Sequence, residues 1–206
     1  MSTHDLRGPG EPTTLYYPAG TVVVVAGIPG AGKTTLLRRL FGLTGQETGP
    51  VALPGGAWLL DSEQARNRWR GRLGDRVPYA AYRPLVHLTH YLAVYRAVRA
   101  GRGVVLHDCG TRRALLRLLT GDRAHLVALD VSAADARAGQ YARGRRVRGR
   151  SFRRHDRAWR FPSDGGLPPV AEGYRSLVVL DRVAADRIAA IVLGGPINSP
   201  TAAIVL

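Results

Sequence analysis

The sequence predicts an α/β fold in which a central parallel sheet of five strands is sandwiched by helices. Five short runs of β-branched and aliphatic residues recur along the 206 residues, and segments of helical periodicity separate them. Each run is continuously apolar, which is typical of strands buried on both faces of a parallel sheet. In such folds, ligands bind beyond the carboxyl ends of the strands.

The predicted strands are bounded by glycine, charged or turn residues. The clearest of them holds four consecutive valines and closes at Gly27. Three others end in an aspartate, at Asp61, Asp108 and Asp181. The five predicted strands span residues 21–27, 57–61, 103–108, 126–131 and 176–181.

Apolar residues at helical spacing predict helices between these strands. The predicted helices span residues 33–41, 62–73, 85–100 and 112–119, with a short one after Ser132. The third of them is expected to bury the face formed by Leu85, Leu88, Leu92 and Val98. Residues 184–192 fit a closing helix or a strand equally well.

Glycine and proline cluster at both ends of the chain and predict loops there. Residues 1–14 are therefore expected to be a disordered segment, and residues 194–206 a tail that ends in an apolar run. Residues 15–193 are expected to form the folded domain.

Cysteine usage and hydropathy exclude two classes of protein. Cys109 is the only cysteine, so no intrachain disulfide scaffold can form, and its small size favours a packing role. No apolar run approaches the ~18 residues of a membrane span, and the first residues lack the apolar core of a secretion signal. We therefore expect a cytoplasmic protein without a membrane partner.

The charge is strongly positive and unevenly distributed. The chain has 30 basic and 15 acidic residues, a net charge of +15, which predicts a polyanionic partner such as nucleic acid. Ten arginines but one acid fall within residues 137–160. The later part of this segment also contains Phe152, His155 and Trp159, and the mixture fits either a nucleic-acid surface or a solvated helix face.

A glycine-rich loop joins the first predicted strand to the first helix. It fits the pattern G-x-x-x-x-G-K-[ST] at every fixed position, in the strand-to-helix context that the pattern requires. Its backbone N–H groups can surround a phosphate, Lys33 can reach the β- and γ-phosphates, and the Thr34 hydroxyl can ligate Mg²⁺. The residues predicted to bind the nucleotide are Gly27, Ile28, Pro29, Gly30, Ala31, Gly32, Lys33, Thr34 and Thr35.

This loop resembles that of the P-loop NTPases, and a second sequence element indicates which branch of these proteins the chain resembles. Asp61-Ser-Glu-Gln-Ala-Arg66 is similar to the D-S-D-x-x-R element of polynucleotide-kinase-like and zeta-toxin-like phosphotransferases, with Glu63 in place of the second Asp. The arginine-rich segment over about 137–160 falls where that branch carries a lid. The resemblance covers about residues 15–192 and implies an AAA-type P-loop kinase that binds ATP and Mg²⁺.

Two carboxylates after the second predicted strand are candidates for the base that removes a hydroxyl proton. At the end of a strand, residues two apart point the same way, so Asp61 and Glu63 can both face the phosphates. Asp61 and Gln64 also fit a capping box, which gives Asp61 a structural alternative. In the resembling branch the carboxylate before x-x-R is the usual base, which favours Glu63.

Further residues are predicted to hold the acceptor and the metal. Arg66 lies one helical turn after Glu63 and can bind an anionic group of the acceptor. Asp108 ends a hydrophobic strand in a Walker B-like pattern and would hold Mg²⁺ through water, with a turn or cap role as the alternative. The acceptor pocket is expected to include Arg83, His87 and His90, for which a packed or solvated role is the alternative.

The resemblance assigns the arginine-rich segment a part in catalysis. Arg137, Arg143 and Arg145 match the lid arginines best, and one of them is expected to neutralise the transferring phosphoryl group. Arg143 is the candidate for that catalytic role, with Arg137 and Arg145 in contact with the substrates.

The sequence thus predicts transfer of the γ-phosphate of ATP to a hydroxyl acceptor. The acceptor is a 5′-hydroxyl of RNA or DNA, a nucleoside or sugar nucleotide, or a small metabolite, and the charge favours the first. The alternatives are an ATP-binding switch or slow ATPase that acts through a partner, and a nucleic-acid-binding ATPase.

Overall fold

The computed structural model describes residues 1–109, 112–141, 149–159, 168–195 and 202–206. The strands are β1 (Ser2–Asp5), β2 (Thr13–Tyr17), β3 (Val22–Gly27), β4 (Val51–Ala52), β5 (Trp58–Asp61), β6 (Val104–His107), β7 (Ala124–Leu129), β8 (Ser176–Leu180), β9 (Ile188–Leu193) and β10 (Ala202–Val205). The helices are α1 (Lys33–Phe41), α2 (Ser62–Leu73), α3 (Tyr79–Arg99), α4 (Arg113–Thr120), α5 (Ala133–Tyr141), α6 (Gly149–Trp159) and α7 (Arg182–Arg187). No helix within these ranges combines the length and the apolar character that crossing a bilayer requires.

Within the described residues, seven strands form the main sheet in the order β1-β8-β7-β3-β6-β5-β4. All neighbouring pairs are parallel except β4 and β5. The inner strands β8, β7, β3, β6 and β5 are the five predicted from the sequence, and β3 lies at their centre. The predicted α/β fold is therefore confirmed, and β1 and β4 extend its sheet at the two edges.

A smaller sheet of three parallel strands, again counted over the described residues, has the order β10-β2-β9. The ambiguous segment 184–192 divides between α7 and β9. Strand β1 corrects the prediction that residues 1–14 are disordered, and β10 shows that the apolar run at the end of the tail pairs with β2. The side chains of β1 are mostly exposed, so its pairing to β8 leaves no apolar pattern for sequence analysis to detect.

Helix α3 buries a different face from the one predicted. Leu85, Leu88 and Leu92 are 41%, 65% and 38% exposed, and Val98 is the one member of the predicted face that is buried. Apolar residues occupy two sides of this helix, so periodicity could not choose between them. Packing on α2 determines which side is buried, because Tyr82 and Val86 lie against Ala65 and Trp69 of that helix.

The carboxyl ends of β3, β5 and β6 lie side by side, since these strands are parallel neighbours. Strand β3 leads into the glycine-rich loop, β5 into α2, and β6 into Asp108 and Cys109. One edge of the sheet thus collects the predicted site residues that follow strands, as expected for an open parallel sheet.

Candidate functional site

The loop after β3 requires glycine at specific positions. Gly27, Gly30 and Gly32 have φ values of 153°, 96° and 107°, which L side chains rarely adopt. A Cβ added to Gly30 would lie 2.0 Å from the carbonyl oxygen of Ala136 in α5. Gly32 precedes α1 and offers it no side-chain cap, so the amide end of the helix faces the loop.

Lys33 is folded over this loop. Its side chain is buried, and Nζ donates hydrogen bonds to the carbonyl oxygens of Gly27 at 2.7 Å and Ile28 at 3.1 Å. On the other side of the loop, Gln140 Nε2 donates to the carbonyl oxygen of Pro29 at 2.7 Å. Hydrogen bonds from Gln140 of α5 and from Lys33 therefore both fix the conformation of the loop.

A cavity of about 260 Å³ opens beside the loop. It runs from Gly30 and Thr35 past the end of β7 to Arg182 and Asp186 in α7. The cavity has both polar and apolar walls, which is typical of small-molecule sites.

Asp61 ends β5 and caps α2. Its Oδ1 accepts a hydrogen bond from the Glu63 backbone N–H at 2.9 Å, and Gln64 completes the capping box. Its Oδ2 lies 2.6 Å from Nδ1 of His107, the residue paired with it on β6. Burial raises the pKa of Asp61, but His107 and the Glu63 N–H outweigh burial and hold this pKa below its ordinary value.

Glu63 lies in the first turn of α2, close to α1. Its Oε2 is 3.9 Å from Nη2 of Arg38, and its side chain is 19% exposed. Arg66 lies one turn later, with its guanidinium 5.6 Å from the ring centre of Tyr79. The acidic and basic groups predicted for the acceptor side therefore occupy successive turns of one helix.

Asp108 lies at the same edge of the sheet, directly after β6. The carboxylate is buried, and its Oδ2 accepts a hydrogen bond from the Tyr91 hydroxyl of α3 at 3.0 Å. Burial raises the pKa of Tyr91, and Asp108 raises it further, so this hydroxyl remains a donor.

His90 is buried beside both aspartates. Burial lowers its pKa to about 4, against the opposing effects of Asp108 and Asp61. Its Nε2 has no hydrogen-bond partner within the part of the chain that the structure describes. His90 therefore packs close to both aspartates, and its predicted contact with the acceptor stays a prediction.

Arg83 and His87 lie one turn apart on α3, and Arg112, which precedes α4, lies close to the same helix. Arg83 Nε donates to His87 Nε2 at 3.3 Å, and the guanidinium of Arg112 lies 5.4 Å from the ring centre of Tyr91. Burial lowers the pKa of His87, and the charges of Arg112 and Arg83 lower it further. Arg83 is exposed, and its predicted contact with the acceptor stays a prediction.

Helix α6 packs its aromatic side inward. Trp159 Nε1 donates to the carbonyl oxygen of Cys109 at 2.8 Å, and the Arg137 guanidinium lies 4.9 Å from the ring centre of Phe152. Arg143 and Arg145 lie outside the described residues, and so do the connections that flank α6. The predicted lid as a whole is therefore untested.

The sequence does not single out His107, and His155 is predicted from it to lie on a nucleic-acid surface or a solvated helix face. His107 pairs with Asp61 through the order of the strands, which the sequence does not reveal. His155 is buried with Phe152 and Trp159, and their spacing of three and four residues within the arginine run was a helical pattern that could have identified them.

Comparisons with known proteins agree with this architecture. A family model described as an AAA domain matches residues 22–160. A solved structure of a protein from Chloroflexus aurantiacus named a "putative kinase" is 19% identical in sequence, with a TM-score of 0.50. The match covers 82% of this chain and 88% of that one, and it bears on the fold alone. No curated protein matches the chain.

Proposed function

The chain belongs to the AAA domain family, and on this premise we propose that it is an ATP-dependent phosphotransferase that transfers the γ-phosphoryl group to a hydroxyl acceptor. One observation carries the proposal. The glycine-rich loop with Lys33 follows β3, while Glu63 and Asp108 follow the neighbouring strands β5 and β6. In-line transfer to a hydroxyl requires such a phosphate cradle with carboxylates beside it.

The loop and the neighbouring cavity fit a nucleoside triphosphate. The backbone N–H groups of the loop and the amide end of α1 would hold the phosphates, and the cavity that reaches Arg182 would take the sugar and base. Lys33 would exchange its two carbonyl contacts for phosphate oxygens. Thr34 and Asp108 would hold Mg²⁺, which neutralises phosphate charge when bound. The sequence has no N-K-x-D element that would select guanine, which favours ATP.

The structure supports Glu63 over Asp61 as the base. Both oxygens of Asp61 are engaged, one in the cap of α2 and the other with His107, and its low pKa makes it a poor proton acceptor. Glu63 is partly exposed at the edge where an acceptor would enter. As the new P–O bond forms and ADP leaves, the hydroxyl proton would pass to the Glu63 carboxylate.

The acceptor side is rich in cations and aromatic rings. Helices α2 and α3 carry seven arginines and one carboxylate, and Arg66 and Arg72 lie over Tyr79 and Trp69. Such a surface attracts polyanions and stacks bases. It supports the polynucleotide-kinase-like and zeta-toxin-like branch, with a 5′-hydroxyl of RNA or DNA as the first acceptor to test.

The lid assignment completes the proposal. Arg137 lies on α5, which braces the loop through Gln140, and its guanidinium rests on Phe152. Arg143 and Arg145 follow α5 in the sequence, and one of these three arginines would neutralise the phosphoryl group during transfer.

The test is transfer of labelled γ-phosphate from ATP-Mg²⁺. The acceptors are 5′-hydroxyl RNA and DNA oligonucleotides first, then nucleosides and sugar nucleotides, and then a metabolite extract, each with a Lys33→Ala control. We expect label on one acceptor class that disappears in the control. If ATP binds and no acceptor is labelled, the phosphotransferase proposal fails and an ATP-dependent switch or slow ATPase takes its place.

A further inference from the structure

The described part of the arginine-rich segment separates its charges from its aromatic residues. On α6, Phe152, His155 and Trp159 are 3%, 8% and 5% exposed, whereas Arg153 and Arg154 are exposed. Residues three, four and seven apart share one side of a helix. His155 therefore shares the buried side of the helix with two aromatic residues, whereas the neighbouring arginines are exposed.

One end of α6 lies beside the proposed phosphate site. Trp159 is bonded to the carbonyl oxygen of Cys109, the residue after Asp108. Trp159 and Asp156 also line a cavity of about 300 Å³ together with Ile28 of the glycine-rich loop and Asp130 after β7. The last turn of α6, which follows His155, thus lies beside the end of β6 and shares a cavity with the glycine-rich loop.

The electrostatic surroundings of His155 place it near the same groups. Burial lowers the pKa of His155, Arg154 and Lys33 lower it further, and Asp108 opposes them. The imidazole is accordingly neutral at pH 7, with one ring nitrogen as a donor. Lys33 and Asp108 are the residues proposed to meet the β- and γ-phosphates and Mg²⁺.

Nδ1 of His155 is buried and lacks a hydrogen-bond partner among the described residues. Burying a polar nitrogen without a partner is costly, so such atoms mark places that a ligand or water completes. This nitrogen belongs to a side chain that is more than nine-tenths buried. The charges of Lys33 and Asp108 both act on the same imidazole.

We propose that Nδ1 of His155 donates a hydrogen bond to the terminal phosphate of the bound nucleoside triphosphate, so that α6 distinguishes a triphosphate from a diphosphate. The proposal rests on nucleotide binding at the glycine-rich loop. It does not depend on the identity of the acceptor.

The experiment compares His155→Leu with His155→Asn. The two side chains have nearly the same shape, but the asparagine amide can donate a hydrogen bond from close to the position of Nδ1 and leucine cannot. Dissociation constants for ATP and for ADP are measured calorimetrically with Mg²⁺. We expect His155→Leu to weaken ATP binding by roughly 10-fold or more with ADP binding nearly unchanged, and His155→Asn to retain most of the ATP affinity.

The control is Arg153→Ala, which removes an exposed cation from the same helix and should leave the ratio of ATP to ADP affinity unaltered. Thermal unfolding confirms that each variant is folded. If the leucine variant loses ATP and ADP affinity equally, or if the asparagine variant binds ATP as weakly as the leucine variant does, then His155 has only a packing role. If the wild-type protein binds neither nucleotide, both the proposed function and the role of His155 are refuted. If the leucine variant changes the ratio of ATP to ADP affinity but no phosphate transfer is found, the role of His155 stands and only the transferase activity is refuted.

Discussion

The burial of His90 makes the stability of the fold depend on pH. In the folded chain its pKa is about 4, whereas an exposed histidine titrates at 6.5. Between these values the unfolded chain binds a proton that the folded chain excludes, so the free energy of unfolding falls as the pH falls through this window. At about 1.4 kcal/mol for each pKa unit, the loss reaches roughly 2.5 kcal/mol by pH 4.5.

The charged and titratable groups around His90 act on its pKa in opposite directions. Asp108 follows β6 and Asp61 caps α2, and both favour the protonated imidazole, whereas His107 and His87 oppose it. His107 and the cap of α2 hold the pKa of Asp61 below its ordinary value, although burial raises it. Burial also lowers the pKa values of His125, His87 and His155, which contribute to the same slope, so the wild-type curve alone cannot isolate His90.

The assay is urea unfolding of the wild type and His90→Leu at pH 7 and at pH 4.5. Leucine cannot take up a proton, so the variant should lose roughly 2.5 kcal/mol less than the wild type between the two pH values. For a chain of this length, that difference corresponds to about 5–10 °C in the melting temperature. Equal losses in the two proteins would refute the reasoning, because they would mean that His90 is protonated as easily in the folded chain as in the unfolded one.

Three further predictions concern the loop and the base. Lys33→Ala should weaken ATP binding by roughly 100-fold in a calorimetric titration, because two charge-assisted contacts to phosphate disappear, and an undiminished affinity would exclude Lys33 from the site. Glu63→Gln should retain ATP binding and lower the rate of labelled phosphate transfer by about 100-fold or more, and equal turnover would refute its role as base. Gly30→Ala should lower the free energy of unfolding by about 2 kcal/mol or more, since the new Cβ would meet the Ala136 carbonyl, whereas Gly49→Ala, which meets nothing within 4 Å, should not.

The sequence predicted the inner sheet because each of its strands is a continuous apolar run between turn residues. It did not predict β1, whose side chains are mostly exposed and whose pairing to β8 depends on backbone hydrogen bonds. It chose the wrong face of α3, where Leu88 is 65% exposed, because the helix is apolar on two sides and packing on α2 decides which side is buried. Sequence patterns therefore predicted the strands that are buried in the sheet. They did not predict the features that depend on which other element packs alongside.

The same distinction applies to the site. The glycine-rich loop could be predicted because its conformation is local, with glycine at each position of positive φ. The capping box of Asp61 was also recognisable as an alternative, because it spans only four residues. The contact between Asp61 and His107 depends on β5 lying beside β6 in a register that pairs these two residues, and this order cannot be read from either strand.

The partners of the three carboxylates at this edge explain why they are suited to different tasks. Asp61 has one oxygen in the cap of α2 and the other 2.6 Å from His107, so its protonation would cost the cap and the ion pair together. Asp108 is buried and accepts a hydrogen bond from Tyr91, which fixes its orientation next to the loop, as a carboxylate that holds Mg²⁺ through water requires. Glu63 has its cationic neighbour, Arg38, at 3.9 Å, and Arg38 is itself 44% exposed, so this ion pair contributes little to stability. In the proposed mechanism, the engagement of both Asp61 oxygens therefore favours Glu63 as the proton acceptor.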